Sequence, residues 1–174
     1  MPRWSLILIA LLLAAPPTTR AAAGWPGVPY TEVRAYAWPA AVEKGAVVGI
    51  RNGLVPGSVN PRGVPLNDAQ VRRLLAALDS WPRAYPPFSC HIPRNAFVFR
   101  QDGKIVAVLE ICFDCMNQRS ETAAEANRRF PRLNLPALAG LCEELGVPVG
   151  TFPSATAFQK KFRQLRGEKV TVGL

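Results

Sequence analysis

CHIPRNAFVFRQDGKIVAVLEICFDC, residues 90–115, decides the fold. Two β-rich runs meet at Asp102-Gly103, a dipeptide suited to a two-residue type I′ hairpin because both central positions take positive φ. Such a turn pairs residues whose numbers sum to 205: Phe99 with Val106, Val98 with Ala107, Phe97 with Val108, Ala96 with Leu109 and Asn95 with Glu110. One face then carries Ala96, Val98, Ile105, Ala107, Leu109 and Ile111 and is expected to be core. The other carries Phe97, Phe99, Val106 and Val108 and becomes polar at Asn95 and Glu110, far from the turn.

Before the hairpin, Val33 to Trp38 reads as a short strand, Ala46 to Ile50 as another run ending in the Asn52-Gly53 turn signal, and Gly57 to Pro65 as loop. Asn67 with Gln70 forms a capping box, Leu66 and Val71 are spaced as a hydrophobic staple, and Val71, Leu74, Leu75 and Leu78 repeat at helical spacing. Trp81-Pro82 stops that helix. After the hairpin, Asn117 to Phe130 is polar and is read as a short helix capped by Ser120. Two further helices follow. Pro136 near the start, Leu138, Leu141, Cys142 and Leu145 on one stripe and Gly146 at the stop define the first; Ser154, Phe158, Phe162 and Leu165 define the second. The expected class is α+β: a small antiparallel sheet built on a central hairpin, with one helix before it and two after it.

Met1 to Arg3 supplies one basic residue, and Trp4 to Ala15 is an apolar run broken only by Ser5, the length of a signal peptide and too short for a membrane span. Ala21-Ala22-Ala23 before Gly24 fits a cleavage site after Ala23. The expected organisation is a signal peptide at 1–23 and one α+β domain at 24–174, periplasmic or secreted, without a lipid-bearing cysteine near its start. With 49% hydrophobic and 19% charged residues in a chain of 174, two large domains, a disordered chain and a fibre are all excluded.

Four cysteines, Cys90, Cys112, Cys115 and Cys142, in a chain bound for an oxidising space favour disulfides. The hairpin register places Cys90 opposite Cys115, which favours that pair, with Cys90 to Cys112 as the alternative because Pro93 has no N–H for the ladder. Closing the 90-to-115 loop is worth roughly 3 kcal/mol by chain entropy. Two other readings use the same residues. Cys112-Phe113-Asp114-Cys115 has the C-x-x-C spacing of thiol redox centres, though it ends a strand rather than starting a helix. Cys90, His91, Cys112 and Cys115 have the count and chemistry of a zinc or copper site, but no Gly or Pro provides the tight turn. No metal and no cofactor are assigned.

Catalytic residues are not identified. A Ser-His-Asp set would need His91, the only histidine, and no nucleophile elbow, phosphate-binding loop or dinucleotide fingerprint occurs. Glu110 and Asp114 fall on one face of an extended strand about 13 Å apart, far for a shared acid–base step. Arg94, Asn95, Glu110 and Asp114 therefore read as a polar cluster at the rim of the sheet. Losing Arg3 and Arg20 with the leader takes the formal charge from +9 to +7. Arg128, Arg129 and Arg132, then Lys160, Lys161, Arg163, Arg166 and Lys169, carry much of the excess. Such a surface attracts polyanions without naming which, and with no recognition motif it reads as a solvated face rather than a specific nucleic-acid site; the partner is left open between an anionic envelope polymer and a protein.

The run Cys90-His91-Ile92-Pro93-Arg94-Asn95, then Phe97-x-Phe99, Asp102-Gly103-Lys104 and Ile111-Cys112-Phe113-Asp114-Cys115, resembles a family of small exported bacterial proteins with no established function. Its pattern is C-x-x-P-[RH]-H, a hairpin and I-C-F-x-C. The helix with Leu66, Asn67 and Gln70 and the segment from Leu141 to Pro148 are also similar, so the likeness covers about half the chain. The resemblance implies location and architecture and no reaction. Where the family usually has histidine this chain has Asn95, so any metal or proton chemistry of that histidine is expected to be lost here.

Overall fold

The structure, a computed structural model, describes residues 24–39, 48–86 and 89–167. The proposed leader at 1–23 and Lys169 lie outside them. Eleven elements are described: β1 (Glu32–Ala37), β2 (Val48–Gly49), β3 (Gly53–Leu54), β4 (Val64–Pro65), α1 (Asp68–Ala77), β5 (Asn95–Gln101), β6 (Lys104–Cys112), β7 (Asn117–Thr122), β8 (Ala126–Arg128), α2 (Leu135–Glu144) and α3 (Ala155–Leu165). Six strands form one sheet in the order β4-β1-β5-β6-β7-β8, and β2 and β3 form a separate pair. Every pairing is antiparallel, so the class is α+β, as expected.

The local signals explain the helices. Gln70 N–H donates to the Asn67 side chain and Asn67 N–H to the Gln70 side chain, both at 2.9 Å, completing the capping box of α1. Asn134 caps α2 through Ala137 N–H at 3.0 Å, and Gly146 ends it at φ +66°, a conformation costly for residues with a Cβ. Ser154 accepts from Ala157 N–H at 3.1 Å at the start of α3.

The central hairpin departs from the expected register. Asp102 and Gly103 have φ 50° and 77°, and the first pairs, Gln101 with Lys104 and Arg100 with Ile105, sum to 205 as a two-residue turn requires. Val106 is then left without a partner: Phe99 pairs with Ala107, Phe97 with Leu109, Ala96 with Glu110 and Asn95 with Ile111. One inserted residue exchanges the faces of the rest of β6 relative to β5. The main core therefore receives Phe97 and Phe99 together with Ala107, Leu109 and Ile111, and the helices pack on this side through Leu74, Leu138 and Phe158. Ala96, Val98, Val108 and Ile105 belong to the opposite cluster with Tyr36, Trp38 and Val48. The assignment of Ala96, Val98 and Ile105 to the main core, and the pairing of Asn95 with Glu110, are corrected accordingly.

Two further expectations change. Residues 117–130 form the strands β7 and β8 rather than a helix capped by Ser120: alternate residues Gln118, Ser120 and Thr122 are buried opposite Ile111, Leu109 and Ala107. Val64–Pro65, read as loop, adds a short edge strand to β1.

The bulge has a measurable consequence. Phe99 is fully buried and meets Trp25 and Tyr30 edge-on at 5.1 Å each, whereas Val106 is only half-buried. Phe99→Ala should cost about 3–5 kcal/mol in denaturant unfolding and Val106→Ala less than about 1.5 kcal/mol. Equal costs would refute this register.

Candidate functional site at the braced end of the sheet

At the end of the sheet away from the Asp102-Gly103 turn, β5 begins, β6 stops and the turn Phe113–Met116 leads into β7. Pro93 cannot extend the ladder; its last bond runs from Arg94 N–H to the Ile111 carbonyl at 3.2 Å. Cys115 thus lies in a turn and not on an extended strand. The disulfide still joins Cys90 to Cys115, with a Cα separation of 5.7 Å. It ties the segment entering β5 to the turn leaving β6. Asn117 reinforces this closure by donating to the Cys90 carbonyl at 2.9 Å.

The remaining thiols are buried singly. Cys112 is fully buried, and its sulfur accepts the N–H of Cys115 at 3.2 Å and that of Ile92. Burial raises its pKa; the two N–H groups pull the other way but do not prevail. Cys142 is buried on α2, where desolvation pushes its thiol up to about 12. Neither has the lowered pKa of a redox nucleophile, and the C-x-x-C segment spans a strand end and a turn.

The four polar residues expected to cluster divide across the sheet. Asn95 is buried on the helix side, donating to the Pro148 carbonyl at 2.6 Å and accepting from Gly150 N–H at 3.0 Å. Asp114 accepts from the Thr151 hydroxyl and lies 3.5 Å from Arg94 Nε. Together they hold residues 148–151 against the sheet. Gly150 is required there: its φ is +55°, and a Cβ would come within 2.9 Å of Asp114 Oδ2. Glu110 belongs to the other face. It accepts Val48 N–H at 3.0 Å and has Arg119 Nε at 3.3 Å and His91 Nε2 at 3.7 Å. Glu110 is thus engaged by Val48 and Arg119, and Asp114 by Thr151 and Arg94, on different parts of the sheet end.

The four metal-donor candidates do not converge. Cys90 and Cys115 are bonded to each other, Cys112 faces backbone N–H groups and His91 faces Glu110. Among the described residues no group of three or more His, Cys, Asp or Glu is arranged to hold a metal ion.

Asn117 and Gln118 were not singled out from the sequence, and Arg129 was named there only as part of a basic cluster. Arg129 Nη1 donates to the Asn117 side chain and to the Gln118 carbonyl, the latter at 2.8 Å, fixing the guanidinium against β7. The strand alternation that would have revealed them is hidden because β7 buries Gln, Ser and Thr in place of apolar residues. In comparison with known proteins, no family model, no curated protein and no solved structure matches this chain.

The buried thiol of Cys142 makes stability pH-dependent in a known direction. An unfolded cysteine ionises near 8.5, so between about pH 9 and 12 the unfolded chain has lost a proton that the folded chain keeps. This contribution is complete below about pH 8.5 and falls as pH rises through that window. Urea melts from pH 8 to 10.5, with the disulfide intact, should show a shallower alkaline decline in Cys142→Ala, by up to about 1.4 kcal/mol per pH unit. Parallel profiles would mean that the thiol is solvated.

Proposed function

We propose that this chain is an exported domain of the bacterial envelope that acts by binding, without catalysis, and that its disulfide is structural. The partner class is an anionic envelope polymer. The observation that carries this reading is the solvent face of α3, where Lys160, Lys161 and Arg163 are exposed opposite buried Phe158 and Phe162. The helix contains no Asp or Glu, and no acid pairs with those three cations among the described residues. A cationic strip of this kind attracts polyanions over roughly one Debye length, about 8 Å at physiological salt. The state of the thiols supports the non-catalytic part: two are joined, and the other two are buried with raised pKa values. No helix among the described residues is long and apolar enough to cross a membrane.

Two measurements test the reading. Lys160→Gln, Lys161→Gln and Arg163→Gln together should elute from an anionic polymer column at lower salt than Arg51→Gln, Arg62→Gln and Arg72→Gln together, an equal charge change at exposed sites elsewhere. Equal elution would reduce the interaction to net charge and remove the binding face. Cysteine mapping by mass spectrometry on protein taken from its native compartment should show Cys90 linked to Cys115, a mature N-terminus at Gly24, and Cys112 and Cys142 alkylated only after denaturation. A reducible Cys112–Cys115 pair, or stoichiometric zinc or copper, would overturn the structural role in favour of thiol redox or metal chemistry.

A further inference from the structure

Away from α3, a cleft of about 430 Å³ lies between the start of the described chain, α1 and the segment Arg128–Pro131. That volume is within the usual range for small-molecule sites. Leu75, Leu78 and Phe130 supply an apolar wall. Trp25 also lines the cleft; it is 7% exposed, and its indole Nε1–H is buried with no hydrogen-bond partner. A buried donor left without an acceptor is unfavourable, and supplying an acceptor relieves that cost.

Arg129 lines the same cleft and is oriented in advance. Its Nη1 donates to Asn117 and Gln118, and among the described residues Nε and Nη2 make no bond, leaving the edge that can hold a carboxylate bidentately. Arg128 lies 5.4 Å over the Phe130 ring and is paired with Glu125 at 3.3 Å, so Arg129 is the cation offered to an anion. The acid in the lining, Asp79, has Arg132 Nε at 3.5 Å. Gly24 forms part of the rim and has no atom within 4 Å of where a side chain would begin, so no side chain crowds the rim there.

From the unpartnered indole donor and the fixed guanidinium beside an apolar wall, we infer that this cleft binds a small amphiphilic carboxylate. The carboxylate takes the Trp25 N–H and the open edge of Arg129, and a short aliphatic or single-ring body lies on Leu75, Leu78 and Phe130. The site goes beyond the polymer-binding reading and shares no residue with the basic face of α3.

Hexanoate is the probe, with acetate as the anion lacking a body and 1-hexanol as the body lacking an anion. Titrated into the full mature chain and followed by NMR, hexanoate should move the Trp25 indole proton downfield along a saturable curve with a dissociation constant of about 1 mM or tighter. Acetate and 1-hexanol should each bind at least about tenfold more weakly, and Arg129→Gln should weaken hexanoate about tenfold without moving the 1-hexanol response. The triple α3 variant should bind hexanoate like the parent, so failure of the polymer reading leaves this result intact and the converse also holds. An indole signal that does not move, a response linear to 20 mM or so, or equal binding of hexanoate and 1-hexanol would each overturn the inference. The wild-type ligand series suffices if the Arg129 variant does not fold.

Discussion

One unpaired residue, Val106, sets the two faces of this protein. Because strand side chains alternate, a single insertion in β6 reverses what every later residue of that strand faces relative to β5. It sends Phe97, Phe99, Leu109 and Ile111 together under the helices and leaves Ala96, Val98 and Val108 to a smaller cluster with Tyr36 and Trp38. It also separates Asn95 from Glu110. The amide then lies on the helix side, where it can hold residues 148–150, and the carboxylate lies on the other, where it can receive Val48, Arg119 and His91. Burying a carboxylate is costly unless it is paired and hydrogen-bonded; Val48 N–H supplies a hydrogen bond and the Arg119 guanidinium the opposite charge.

Features that rest on local chemistry were legible in the sequence. The Asn67–Gln70 box, the Gly146 stop, the Ser154 cap and the Asp102-Gly103 turn each depend on a few neighbouring residues, and each is found where those residues stand. The bulge was not legible, since Ile105-Val106-Ala107-Val108 is apolar throughout and marks no position as the extra one. For β7 the difficulty is reversed: Gln118, Ser120 and Thr122 are buried, so the usual apolar alternation is absent and the polar run resembles a helix or loop.

The disulfide shows how a correct pairing can rest on an incomplete route. A ladder continued at a sum of 205 would set Cys90 against Cys115, but past the bulge the pairs sum to 206 and the ladder ends at Pro93. The two sulfurs meet because the chain turns after Cys112 and brings Cys115 back over the segment entering β5. Of the four residues expected to form a rim cluster, Arg94, Asn95 and Asp114 act together, and only Glu110 is turned to the other face by the register.

Asn95 closes the turn at residues 148–150 through both groups of its side-chain amide. A primary amide presents a donor and an acceptor from one planar end, here reaching Pro148 and Gly150, two residues apart on one turn. The fit of the amide argues that Asn95 is adapted to hold residues 148–151 in place. Cys112 leads to the same conclusion by another route. Its neighbours are backbone N–H groups that would favour a thiolate, yet burial outweighs them, so the sulfur serves the turn as a hydrogen-bond acceptor rather than the solvent as a nucleophile.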